Sequence, residues 1–287
     1  MNKKHISTMI LAALTIWIIV YYSTAKQAEE TIIFFPLDSN AFFESANTTL
    51  LARDKSPNKF TVSWKASSKL NQKAYLRQDV SLLYANGRLA GILKNWKQHT
   101  DQLEQKGESA VTDSSLFQAI TFHYAELQQK PDTYSSAQEM SASTLYVVQS
   151  AYSKLQHFQR PLTKEQKEWK QTLDMAGAAV SRSAWELAMN KFSINPDEYK
   201  ILPLTELAAR KEELLGAYPK QKQEEIIGKL WEGLYKNYVL GIKKEDGSAV
   251  DPTGSTIPLL LVSIPKGELL VIITSADGTP ALLRQRL

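Results

Sequence analysis

The run from Ile6 to Ala25 contains no charged residue, and Asn2-Lys3-Lys4-His5 stands in front of it. No other stretch limits the possible outcomes so sharply. At about 1.5 Å per helical residue, a run of this length covers roughly 30 Å, the depth of a bilayer's hydrocarbon layer. Trp17, Tyr21 and Tyr22 lie toward its far end, where amphipathic rings favour the headgroup level. Lys3 and Lys4 favour a cytoplasmic first end. The expectation is a single-pass cell-membrane protein, anchored in the bilayer through Ile6–Ala25, with its N-terminus cytoplasmic and a large domain outside. A basic start before an apolar core also describes a secretory signal, and Ser23-Thr24-Ala25 offers a small-residue cleavage site. The alternative is therefore secretion after cleavage at Ala25.

The chain beyond this run must fold on its own apolar core. It has 287 residues in all and no cysteine, so neither a disulfide nor a thioether-linked lipid is available to it. Beyond Ala25 stand 30 acidic and 32 basic residues, a balance near neutrality. Such a surface gives no reason to expect nucleic acid as a partner.

The pattern predicts an α+β fold: antiparallel strands with a helical middle section, residues 29–158 mainly β, residues 159–287 helical and then β again. The two parts form separate subdomains or one domain. Thr31–Phe35 reads as a strand, and Ser39–Leu51 as a short helix. Phe60, Val62 and Trp64 alternate with polar neighbours, as a half-buried strand requires. Ser67–Lys73 reads as a polar linker. Val80–Tyr84 and Arg88–Leu93 flank Asn86-Gly87, a pair that tolerates the positive φ of a tight hairpin turn. Leu116–Glu126 suits a strand, although a helix fits too. Ser135 with Gln138 has capping-box spacing and predicts a short helix. Thr163 with Gln166 has the same spacing before a longer helical pattern, whose stripe is Trp169, Leu173, Ala176, Val180, Ala184 and Leu187. Further helices are expected over Leu204–Leu215 and after Pro219. Ile257–Arg286 reads as short antiparallel strands, because Lys266 and Glu268 divide the apolar run.

Motifs for chemistry are absent. The histidines His5, His99, His123 and His157 form no HExxH or HxH pattern. No GxSxG elbow, Walker loop or GxGxxG turn occurs. Ser56–Lys59 and Ser263–Lys266 have SxxK spacing, the first in a loop and the second interrupted by Pro265. Asp101 and Glu104 would share a face if their segment were helical, and the carboxylate pairs Glu212/Glu213 and Glu224/Glu225 sit in charged patterns that normally face water. No catalytic, cofactor-binding or metal-binding residue is assigned. Trp96, with Lys94, Lys97 and His99, is the candidate binding surface, since an aromatic ring beside cations can stack on a sugar or meet an anionic polymer. His123 with Glu126 is the one nearby histidine–carboxylate pair.

The function expected on these grounds is a membrane-anchored envelope protein, non-enzymatic, acting through a protein partner in the envelope or membrane. The alternative is a protein that binds or hydrolyses cell-wall polymer.

Overall fold

The computed structural model describes residues 34–56, 59–111, 113–150, 153–243 and 247–287. Strand β1 (Phe43–Ser56) pairs antiparallel with β2 (Lys59–Ala85), which is 27 residues long. A straight strand of that length would reach roughly 90 Å, so β2 must bend. The turn Asn86-Gly87, with φ of 49° and 82°, returns it into β3 (Arg88–Leu93), and β4 (Trp96–Val111) follows. The first half of β2 lies between β1 and β4. Its second half lies between β3 and β5 (Ser115–Lys130). Pairing with β4 slips between Lys69 and Leu76, and pairing with β5 takes an extra residue between Arg77 and Val80. Bulges of this kind bend and twist a strand.

The bend carries β1 over β6 (Thr133–Ser150), where Thr48 Oγ1 lies 2.7 Å from Ser141 Oγ. Strand β7 (Ser153–Phe158) completes a sheet of seven strands among the described residues. Curled in this way, the sheet is close to a barrel. Its interior has three layers. Leu50, Phe60, Val62, Phe117 and Leu145 fill one end, and Leu70, Leu76, Ala125 and Leu127 the other. Between them runs a polar belt. Trp64 Nε1 donates to Ser81 Oγ, which lies 2.8 Å from Thr121 Oγ1. Thr48 Oγ1 reaches Thr121 at 2.8 Å, and His123 Nε2 reaches Ser141 Oγ at 2.7 Å.

Strand β5 is buried on both faces. Its odd residues point into the curled sheet, and Leu116, Phe122 and Tyr124 point the other way, under helices. Helix α1 (Lys164–Lys191) is capped by Thr163, whose hydroxyl accepts from Gln166 N. Strand β8 (Lys200–Pro203), α2 (Leu207–Leu215) and α3 (Lys220–Tyr238) come next. The short pair β9 (Ile242–Lys243) and β10 (Ala249–Val250) precedes β11 (Leu259–Ser263), β12 (Glu268–Thr274) and β13 (Pro280–Arg286). A second sheet has the order β13-β12-β11-β8. Helix α1 bridges the two sheets. Its first half packs through Leu173 on Leu116, Tyr146 and Phe158. Its second half packs through Ala188 on Leu259, Leu261, Leu270 and Ile272. Phe34–Leu287 make up one compact unit.

The fold class is corrected accordingly, to an α+β domain with a near-barrel sheet and short helices. Ile6–Ala25, on which the anchor, the bilayer contact, the N-in orientation and cleavage at Ala25 all rest, lies outside the described residues. Among the described residues no helix is long and apolar enough to cross a membrane. The spanning helix, the bilayer partner and the single-pass location are withdrawn.

Local expectations change as well. The helix expected over Ser39–Leu51 is β1, where Thr48, Leu50 and Ala52 are buried and their neighbours are not. The linker at Ser67–Lys73 is the middle of β2, and the helix expected at Ser135 is part of β6. Of the strand expected at Thr31–Phe35, only Phe34 and Phe35 are described, and they are not strand. The ring of Phe34 lies against Gly228, and Phe35 N donates to Tyr124 OH at 2.9 Å.

Candidate functional site

The Asn86-Gly87 turn is where the two sheets and α1 meet. Asn86 carries the pairing of β2 with β5 one residue further: its N–H donates to Leu116 O, and its Oδ1 accepts from Leu116 N at 2.9 Å. Gly87 O accepts from Ile257 N at 3.1 Å, which ties the turn to the second sheet. A Cβ on Gly87 would stand 2.8 Å from Gly177 O and 3.0 Å from Ser181 Oγ. A Cβ on Gly177 would lie 3.6 Å from Leu116 and 3.8 Å from the Asn86 backbone, so the helix leaves room for no more than a small side chain where it crosses the turn. The buried row of α1 is accordingly Leu173, Gly177, Ser181 and Ala188, which shares only Leu173 with the stripe read from hydrophobicity. Leu187, a member of that stripe, is 59% exposed.

Beside this junction lies a cleft of about 360 Å³, walled by α1, β5, β6 and the segment after β8. A volume of this size suits one ring-sized ligand unit. Lys170, Asp174, Ala178 and Arg182 line one side, four residues apart on a single helical row. Lys170 pairs with Asp174, and Tyr146 OH donates to Asp174 Oδ1 at 2.8 Å. The hydrogen bond to Asp174 is the main cause holding the Lys170 pKa above its ordinary value. Burial raises the Tyr146 hydroxyl, and Asp174 acts in the same direction. Trp185 is half-buried, and its Nε1 donates to Ile257 O at 2.9 Å, so the indole is fixed in place. On the facing wall Gln118 Nε2 donates to Thr205 Oγ1 at 3.2 Å. Glu206 is held by Arg210. Asp174, Ala178 and Arg182 also line a second hollow of about 320 Å³ with Met175 and Ala179, so the depression continues across the helix.

The residues singled out from sequence do not gather here. Lys94, Trp96, Lys97 and His99 are exposed at the start of β4, with Trp96 43% exposed and His99 at a φ of 52° beside the slip in pairing. Trp96 pairs with Arg77 and Lys97 with Leu76, so the alternation of a strand sends them to opposite faces. Lys97 lines a groove of about 580 Å³ with Asn95, Gln102 and Ser67, and Trp96 does not. His123 is buried in the polar belt, and desolvation lowers its pKa to about 3. Glu126 accepts from Arg77 at 3.0 Å, on the other face of β5. Burial would lower the Arg77 pKa, but Asp79 and Glu126 outweigh it and hold it above the usual value. The pair His123–Glu126 is thus divided between the two faces.

No sequence motif singles out Arg182 or Trp185. The available signal was the row Lys170, Asp174, Ala178 and Arg182 at four-residue spacing, and nothing in the stripe marked Trp185.

No protein-family model matches this chain, and no curated protein matches it. Among solved structures, a Bacillus subtilis protein described as a candidate lipoprotein aligns with 12% identity over 81% of this chain and 69% of its own, with a TM-score of 0.18. A score so low carries no argument about this chain. The membrane-anchored interaction module expected from the sequence is withdrawn with its anchor, on which that reading depended.

Proposed function

We propose that this chain binds a saccharide polymer of the cell-wall type and holds a sugar unit in the cleft beside α1. The observation that carries the reading is the fixed Trp185 indole in one cleft with Asp174, Arg182, Gln118 and Thr205. A sugar ring presents C–H groups on its face and hydroxyls at its rim. An indole accepts the first, and carboxylate, guanidinium, amide and hydroxyl groups bond to the second. The hollow beyond Asp174 and Arg182 gives a neighbouring unit of the polymer room to continue.

Binding without cleavage fits the site better than hydrolysis. Glycosidases use two carboxylates flanking the bond, one of them protonated as the acid. Here Asp174 is engaged by Lys170 and Tyr146, and Glu206 by Arg210.

Co-sedimentation of the purified chain with insoluble cell-wall polymer tests the proposal. The chain is expected in the pellet, and Trp185→Ala is expected to weaken binding by about tenfold, the loss of one stacking contact worth roughly 1–1.5 kcal/mol. A Trp185→Ala protein that folds normally and pellets as well as wild type refutes the site. Release of soluble sugar during incubation refutes the non-hydrolytic part.

A further inference from the structure

The charges of the cleft are not evenly settled. Lys170 and Asp174 satisfy one another, and Glu206 is taken by Arg210, which also holds Glu213. Arg182 has no ion pair or hydrogen bond among the described residues, although Glu186 stands one helical turn away. Its nearest neighbours along the row are Ala178 and Asp174, and the other cation of the row, Lys170, is already held by Asp174.

We infer that the saccharide bound in this cleft carries a carboxylate, received by the Arg182 guanidinium. This rests on the saccharide reading above. A guanidinium offers two parallel N–H donors that match the two oxygens of a carboxylate. One free cation calls for one negative charge. Glu186, one helical turn away, would repel a doubly charged group. A phosphodiester is also singly charged but is tetrahedral, and it serves as the competing arm of the test.

The probe is a set of soluble fragments released from cell-wall polymer, used before and after carbodiimide activation and borohydride reduction, which turns carboxylates into alcohols. Titration calorimetry with the full chain compares the two. The acidic fragments are expected to bind at least about tenfold more tightly, the range of a charge-assisted hydrogen-bonded pair. Arg182→Gln is expected to remove that preference, while Arg182→Lys retains part of it. Equal affinity of wild type for both sets overturns the inference, and so does an Arg182→Gln protein that keeps the preference. A glycerol-phosphate polymer that displaces the acidic fragments more effectively than they displace one another overturns the carboxylate. In each of these cases the saccharide reading survives if Trp185→Ala still weakens binding. If neither fragment set binds wild type, both fall together.

Discussion

Among the described residues, no counter-charge faces His123 in the interior. Its partners are Ser141 Oγ at 2.7 Å and Gln78 Nε2 at 3.4 Å, with Phe43 edge-on at 6.1 Å. These are neutral groups, and desolvation lowers the folded-state pKa from 6.5 to about 3. Below pH 6.5 the unfolded chain takes up a proton that the folded chain refuses until about pH 3. Stability from this residue is therefore complete above pH 6.5 and is lost as the pH falls through the window below it, by up to about 1.4 kcal/mol per pH unit. Urea melts at pH 7 and pH 4.5 should show a smaller acid-induced loss in His123→Gln than in wild type. An unchanged slope would mean that the belt admits a proton without penalty.

At the scale of the element, the hairpin between β2 and β3 holds more than its own strands together. Gly87 and Gly278 have nearly the same φ, 82° and 84°. A Cβ on Gly87 meets Gly177 O at 2.8 Å, whereas one on Gly278 meets nothing within 4 Å. Both substitutions to Ala carry the backbone cost of a left-handed conformation, about 1 kcal/mol. Only Gly87→Ala also pushes α1 away from the sheet. We expect it to destabilise the protein by about 2–3 kcal/mol, and Gly278→Ala by about 1 kcal/mol. Denaturant melts of the two variants measure the difference. Equal losses would show that the turn and α1 are not coupled as the contact implies.

On the scale of the whole molecule, α1 joins the near-barrel to the second sheet, and the hairpin turn bonds to both. Leu116 and Ile257 receive the turn on either side, and Trp185 fastens the helix to Ile257. Neither sheet can lose this junction without exposing apolar surface of the other. We expect residues 34–287 to unfold in one transition, coincident by tryptophan fluorescence and far-ultraviolet circular dichroism. Two resolved transitions would show that the sheets stand independently.

Some of this architecture was present in local chemistry. Asn86-Gly87 demanded a tight turn because few other pairs accept positive φ twice in succession, and Thr163 with Gln166 marked the start of α1 because the cap needs only its own neighbours. The periodicity of Ile226, Leu230, Leu234 and Tyr238 set the buried face of α3 for the same reason. Tertiary structure decided the rest. Segments with mixed patterns, Ser39–Leu51 and Ser135–Met140, became strands because β2 and β5 offered them partners, and pairing energy outweighs weak propensity. Leu116–Glu126 was ambiguous because both its faces are covered, which erases the alternation that identifies a strand. The cleft was illegible for a related reason. Its walls come from α1, β5, β6 and Thr205, far apart in the chain, and a short-range pattern carries no record of which distant residues will stand opposite Arg182 and Trp185.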